Sequence, residues 1–304
     1  MSDDGSGGRD SDGPPGDSSD EPGRVLVTGA TGTVGEPLVR ELLDAEPSVR
    51  VATRDPERAR DVFGDGPEYV EFDLGRPETW GAALSGADRL FLLYPPGSAV
   101  SDVREFADAA DRTGVERAAF LSILGAEKLP FVPHRRIETH LAGTDIACTF
   151  LRASWFTQNL SEVHRAEIVE RDEIFVPAGD GVLSVTDARD VAAAAATVLT
   201  EPGHGDRAYD LTGPAALDFD EVAEAFSDVL DRRIAYADPS RLTFARQMYR
   251  RGFSPGFVAF MIAEYSVVRL GFSGRTTDDV ETLLGRPPRT VRDFVADYAE
   301  EFRP

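Results

Sequence analysis

Lysine is almost missing from this chain. Of its 32 basic residues only Lys128 is a lysine, and the rest are arginines. Against them stand 54 Asp and Glu, for a formal net charge of −22. That balance argues against a nucleic-acid-binding surface, which needs a basic footprint for the phosphates. It suits a protein of a salt-loving organism. There, surface carboxylates keep chains hydrated and apart in concentrated salt, and their repulsion burdens the fold when salt is removed. Cysteine is equally scarce. Cys148 stands alone, which excludes an intrachain disulfide, and its apolar, strand-like surroundings predict a buried, inert thiol. No run of about 18 apolar residues offers a membrane helix. No apolar stretch of the Sec-signal type marks the amino terminus. The expectation is a cytoplasmic protein with no membrane partner. His134, His140, His164 and His204 have no metal-ligand spacing with one another or with Cys148, so no metal is expected.

Residues 1–23 lack apolar side chains almost entirely and hold seven acidic residues against Arg9. Such a stretch cannot offset its ordering entropy by burial and reads as a disordered acidic tail. The remaining residues, 24–304, are long enough for one large α/β domain or two joined lobes.

What the chain does have is the stretch Arg24 to Gly35, RVLVTGATGTVG. Val25-Leu26-Val27 is a short aliphatic run suited to a buried parallel strand. Glycines follow at 29, 32 and 35. An amphipathic helix comes next, with apolar positions at Val34, Leu38, Leu42 and Leu43, and Pro37 is tolerated in its first turn. Strand, glycine turn and helix in that order point to a dinucleotide site. The glycines keep the turn tight and let the backbone approach a pyrophosphate. The helix N-terminus then offers free N–H groups and a positive dipole end. Gly29, Thr31, Gly32, Thr33, Val34 and Gly35 are the candidate residues.

VTGATGTVG also resembles the phosphate loop of the atypical short-chain dehydrogenase/reductases, in particular their NmrA-like branch. The resemblance implies an NAD(P)-binding, Rossmann-type doubly wound parallel sheet with a smaller C-terminal substrate lobe. It spans about Arg24 to Phe302. The implied core is mainly 24–160 with late strands near 183–213, and the implied lobe is mainly 161–182 and 214–304.

Val49 to Thr53 reads as the second strand. NAD-selective sites often place an acid near its end, for the ribose 2′-hydroxyl. Here the end is Thr53-Arg54-Asp55. Arg54, with Arg58 as a helper, suits a 2′-phosphate, which tilts the expectation to NADP(H) over NAD(H), while Asp55 keeps NAD open. Tyr69 to Leu74 reads as the third strand. The resemblance sets Asp73 and Leu74 beside the adenine, and Asp73 is equally suited to cap the next helix. Arg89 to Tyr94 is the fourth strand, broken by Pro95-Pro96-Gly97. LLYPPG, with Leu93 and Tyr94, resembles the family loop near the cofactor's ribose and nicotinamide. A helix is expected over Val100 to Arg112, stopped by Gly114. A fifth strand is expected over Ala118 to Ser122, a helix near His134 to Leu141, and a strand near Ile146 to Leu151. Arg152, Phe156 and Asn159 resemble the family's R-x-x-x-F-x-x-N segment. The resemblance therefore implies a substrate pocket of Ser122, Trp155, Phe156 and Asn159, with Tyr94, Trp155 and Phe156 as an aromatic stacking slot. Asp187 leads an alanine-rich helix, which the resemblance implies packs the lobe against the core; Phe219 to Leu230 is amphipathic, and helices are expected within 240–270.

One motif is missing. Better-known dehydrogenases of this superfamily use Tyr-x-x-x-Lys, whose lysine depresses the tyrosine pKa. Lys128 would need a tyrosine at 124, which is Leu124. In the corresponding helix stand His134 and Glu138, four apart on one face. His134 is the candidate proton donor, with Glu138 to tune it. Gly252-Phe253-Ser254-Pro255-Gly256 matches the hydrolase pattern Gly-x-Ser-x-Gly. It follows a polar helical segment rather than a strand, and Pro255 removes a backbone N–H an oxyanion hole needs. Two function classes remain. One is an NAD(P)H-dependent oxidoreductase reducing a quinone or similar conjugated carbonyl. The other is a non-catalytic NAD(P) sensor acting through a regulatory protein partner. A small-molecule substrate and a homodimer mate are the other expected partners.

Overall fold

A computed structural model describes residues 23–45 and 47–303. The expected acidic tail lies, but for Gly23, outside the described residues. Twelve strands occur among them, in chain order: β1 Val25–Thr28, β2 Val49–Thr53, β3 Glu68–Glu71, β4 Arg89–Leu93, β5 Arg117–Ile123, β6 Ala147–Ala153, β7 Trp155–Phe156, β8 Glu173–Phe175, β9 Leu183–Thr186, β10 Ala208–Leu211, β11 Ala216–Leu217 and β12 Ala235–Ala237. Seven form one sheet in the order β10-β6-β5-β4-β1-β2-β3. All its pairings are parallel. Consecutive strands β1, β2 and β3 run one way from the centre, and β4, β5 and β6 run the other. The reversal between β1 and β4 is where a doubly wound sheet opens its ligand crevice, at the carboxyl ends of the strands.

Alternation along the strands fills both faces, because successive side chains point to opposite sides. Val25 and Val27 join a core with the helices Gly35–Asp44 and Ala188–Thr200. Leu26 joins the opposite core, with Phe106 and Ala110 of the helix Val100–Arg112 and Ile137 of the helix Pro133–Leu141. In the first core, Leu38, Val39 and Leu42 meet an alanine-rich helix whose Ala192, Ala194, Ala195 and Ala196 are buried. Small side chains on one partner let the two helices pack closely.

The expected late strands divide between two sheets. Ala208–Leu211 extends the main sheet beside β6. Leu183–Thr186 instead pairs with β7 and β11 in a separate three-stranded sheet. After Ala153 the chain leaves the main sheet, and Trp155-Phe156 carries a short edge with it that β9 matches in parallel register. The C-terminal lobe has its own core, built on Phe219, Phe226, Phe244, Tyr265 and Phe294. The expected helices within 240–270 are Arg241–Arg250 and Pro255–Arg269. Ser254 caps the second by accepting from the Phe257 N–H, so the hydrolase-like pattern is a helix start and not a nucleophile turn. Buried Asp190 ties the lobe to the core through Arg286 and Arg289. Asp187 caps its helix, accepting from the Arg189 N–H at 2.9 Å and from Gln158 at 2.8 Å.

Candidate functional site

Every candidate cofactor residue lies at or just past the carboxyl end of a sheet strand. The glycine loop follows β1, Arg54 follows β2, Asp73 and Leu74 follow β3, and Leu93 and Tyr94 close β4. Parallel strands bring those ends to one edge.

The three glycines of the loop serve different needs. Gly29 turns at φ +62°, and a Cβ there would come within 2.5 Å of Leu93 Cδ2. That contact puts Leu93 against the loop. Gly35 lets the helix start sit on the turn, since a Cβ would meet the Gly29 carbonyl oxygen at 2.1 Å. Gly32 is tight but not closed: its Cβ would meet only the Gly29 oxygen, at 3.2 Å, a contact that a small shift relieves. Its value is therefore the bare backbone it presents to a ligand. The Gly32 N–H donates to Gly29 O at 3.0 Å and Glu36 N–H to Gly32 O at 2.9 Å. Among the described residues the N–H groups of Thr33 and Val34 have no acceptor, and no side chain caps the helix Gly35–Asp44. Exposed Thr31 and Gly32 leave the crest of the loop open. Uncapped N–H groups at a helix start fit an anionic pyrophosphate.

At the carboxyl end of β2, Arg54 is exposed and has no ion-pair partner among the described residues. Asp55 Oδ1 instead accepts the Arg58 N–H at 3.0 Å and caps the helix Pro56–Phe63. Asp73 is not a helix cap. Its Oδ1 accepts the Gly75 N–H at 2.9 Å within a turn, beside buried Leu74.

His134 and Glu138 do not act as a pair. Glu138 is fully buried and takes Arg152 in a two-pronged ion pair, Nε to Oε1 and Nη2 to Oε2, both at 2.9 Å. Ser122 Oγ donates to Oε1 at 2.7 Å and Arg135 to Oε2 at 3.1 Å. Burial pushes the Glu138 carboxyl up, but the hydrogen bonds from Arg152, Ser122 and Arg135 hold it below the usual carboxylate range. Arg152 also meets Glu127 at 3.3 Å, and Arg275 links Glu127 to Asp210. Ser122 is thus a buried member of this network, its hydroxyl engaged. His134 packs edge-on against Tyr94 with ring centroids 5.4 Å apart. Burial lowers its pKa and Glu138 only partly opposes this. The imidazole is therefore neutral near pH 7, a poor proton donor.

The three aromatic residues expected to form one slot separate. Tyr94 packs with the core under the Val100–Arg112 helix and donates to Ser98 O at 2.9 Å. Phe156 packs on the opposite core, and Trp155 joins the lobe, edge-on to Phe219 at 6.1 Å. The cause is the strand period: neighbours 155 and 156 must point to opposite faces. Trp155 and Asn159 remain partly exposed. Cys148 is buried, and burial pushes its thiol up to about 12, as expected of an inert cysteine.

Sequence reading missed Glu162, whose Oε1 accepts from Thr33 Oγ1 at 2.7 Å. This contact joins glycine loop to lobe across 129 positions, and no local pattern announces it. A surface depression of about 730 Å³ is lined by Arg104, Asp108, Arg135 and His140 among others, and contains none of the candidate residues.

The NmrA-like family model matches residues 21–258. An NAD(P)H azoreductase of Xenophilus azovorans is 32% identical over 283 residues, covering 91% of this chain and 99% of that protein. The solved triphenylmethane reductase of Citrobacter sp., complexed with NADP(H), superposes with a TM-score of 0.81 at 27% identity, covering 90% of this chain and 99% of the other. The NADPH-dependent quinone oxidoreductase of Escherichia coli, complexed with NADPH, gives 0.82 at 26% identity and the same coverage. A family match across most of the chain, on a parallel sheet with an open glycine loop at its switch point, makes this protein a member of the NmrA-like family.

Proposed function

We propose that the chain is an NADPH-dependent oxidoreductase that reduces a quinone or a similar conjugated acceptor. The observation that carries the reading is the uncapped glycine loop, with Thr33 and Val34 N–H groups lacking acceptors, at the switch point of the sheet. Gly29, Thr31, Gly32, Thr33, Val34 and Gly35 bind the pyrophosphate in this reading. Arg54 meets the 2′-phosphate, Asp73 and Leu74 border the adenine, and Leu93 and Tyr94 border the ribose and nicotinamide. Trp155 and Asn159 face the acceptor, while Ser122 and Phe156 support them from below. When bound, the nicotinamide supplies a hydride. The chain's part is to orient the cofactor and acceptor and to keep water from the reacting face. Relatives named as reductases of azo compounds, triphenylmethane dyes and quinones support an enzyme rather than a sensor. We further propose a cytoplasmic protein adapted to concentrated salt, on the strength of its −22 charge and near absence of lysine. The test mixes purified protein with NADPH in high salt and follows cofactor oxidation against a quinone panel. Turnover supports the enzyme. Tight NADPH binding without turnover on any member selects a sensor and overturns it.

A further inference from the structure

Glu162 puts a negative charge where the glycine loop is read as receiving one. Its short helix, Asn159–Glu162, belongs to the lobe, yet its Oε1 accepts the Thr33 hydroxyl of the loop at 2.7 Å. Thr33 is also one of the two loop residues whose backbone N–H groups have no acceptor among the described residues. The carboxylate therefore rests on a residue read above as a pyrophosphate donor. It is exposed, and among the described residues it has no ion-pair partner. Nearby Arg165 is turned away, its Nε donating to the Glu301 carbonyl at 2.5 Å.

The backbone that carries Glu162 is fastened on both sides. Before it, the Thr157 N–H donates to Thr186 O at 2.9 Å, and Gln158 donates to Asp187 at 2.8 Å while accepting the Ala188 N–H at 2.9 Å. Leu160 is buried in the lobe core. After it, Val163 O accepts from Arg251 at 2.6 Å, and Arg251 meets buried Glu167 at 2.8 Å. The lobe thus fixes where the carboxylate starts, and only the side chain is left to turn.

A threonine hydroxyl has one proton to donate. While Thr33 gives it to Glu162, it cannot give it to a phosphate. A phosphate on the Thr33 N–H would also lie about 5 Å from the carboxylate, two ordinary hydrogen bonds across one residue. Two like charges at that distance in water-like surroundings weaken binding about 4-fold.

We propose that Glu162 gates the pyrophosphate site: NADPH binds by displacing its carboxylate from Thr33, so the lobe sets the affinity of the loop for cofactor. This inference rests on the glycine-loop reading above.

The test is a calorimetric titration of NADPH and NADH into parent and Glu162→Gln, at two KCl concentrations. Sucrose, which favours the folded state without screening charge, is present throughout. Glutamine keeps the length of the side chain and removes its charge. At about 0.1 M salt, where the Debye length is about 10 Å, Glu162→Gln should bind NADPH about 4-fold tighter than parent. At about 1 M, where that length is about 3 Å, the gain should close toward none. NADH shares the pyrophosphate and should gain alike, which separates this effect from that of Arg54. Suppose parent binds NADPH, Gly32→Val does not, and Glu162→Gln equals parent or falls below it at the lower salt. The gate is then refuted and the glycine-loop site stands, with Glu162 a support of the loop or of the bound cofactor. A gain that is the same at both salts also refutes it, since charge is then not the cause. If neither parent nor Glu162→Gln binds NADPH, the cofactor reading fails and this inference with it.

Discussion

Replacing Arg54 with alanine should separate the two nicotinamide cofactors. Arg54 follows β2, is exposed, and has no ion-pair partner among the described residues. Its neighbour Asp55 is the obvious objection, since a carboxylate facing a 2′-phosphate would repel it. The structure turns that carboxylate to the next helix, where it accepts the Arg58 N–H at 3.0 Å. A guanidinium meets a phosphate with paired, charge-assisted hydrogen bonds. A hydrogen bond to a charged group contributes about 1.5–3 kcal/mol. At about 1.4 kcal/mol per tenfold, losing it weakens NADPH roughly 10- to 150-fold. The site is open to solvent, so concentrated salt should bring the loss toward the lower figure. NADH, with no 2′-phosphate, should keep its affinity. The assay is a calorimetric titration of both cofactors into parent and Arg54→Ala at one salt concentration. Equal losses for the two cofactors would mean that Arg54 supports the turn and does not read the phosphate. A parent that already prefers NADH would refute the assignment.

Four further outcomes are expected. Gly32→Val should abolish NADPH binding and lower the melting temperature only slightly, because its Cβ would make a single close contact, 3.2 Å to the Gly29 oxygen, that a small shift relieves. Gly35→Ala should instead cost about 1–3 kcal/mol of stability, as overpacking does, since its Cβ falls 2.1 Å from the Gly29 oxygen; urea titration distinguishes the two. Glu138→Gln should destabilise by about 3 kcal/mol, because it removes the buried, two-pronged partner of Arg152 and leaves that guanidinium only Glu127, at 3.3 Å. The folded-state pKa of Glu138 is depressed, so its stabilisation is present above the ordinary carboxylate pKa and lost as pH falls through the folded value. Parent and Glu138→Gln should therefore converge in stability in acid, and a difference independent of pH would contradict this. The melting temperature of the parent should climb with KCl up to about 1 M, where the Debye length is roughly 3 Å; an unchanged value across the series would sink the adaptation to salt.

Local signals in the chain carried far. The strand Val49–Thr53 and the helices Val100–Arg112 and Phe219–Leu230 sit where their patterning and caps predict. In the last of these, Asp218 and Glu221 close a reciprocal capping box. The glycine turn was legible for the same reason: strand, turn and helix are contiguous. Contacts between distant segments were not legible. Nothing near Leu183–Thr186 says that it pairs with Trp155-Phe156 and not with the main sheet. The spacing of His134 and Glu138 suggested a working pair, but Arg152, arriving from a different strand, engages the carboxylate instead.

Hydride transfer from a cofactor on the glycine loop is the centre of this account, and a single-turnover experiment tests it most directly. Parent and Gly32→Val are each mixed with NADPH and a quinone in high salt, once with ordinary NADPH and once with deuterium on the transferring C4 position. The parent should consume NADPH and quinone one for one, and more slowly with the deuterated cofactor, while Gly32→Val consumes neither. A parent that binds NADPH and leaves it unoxidised, or a Gly32→Val variant as fast as the parent, would contradict the account.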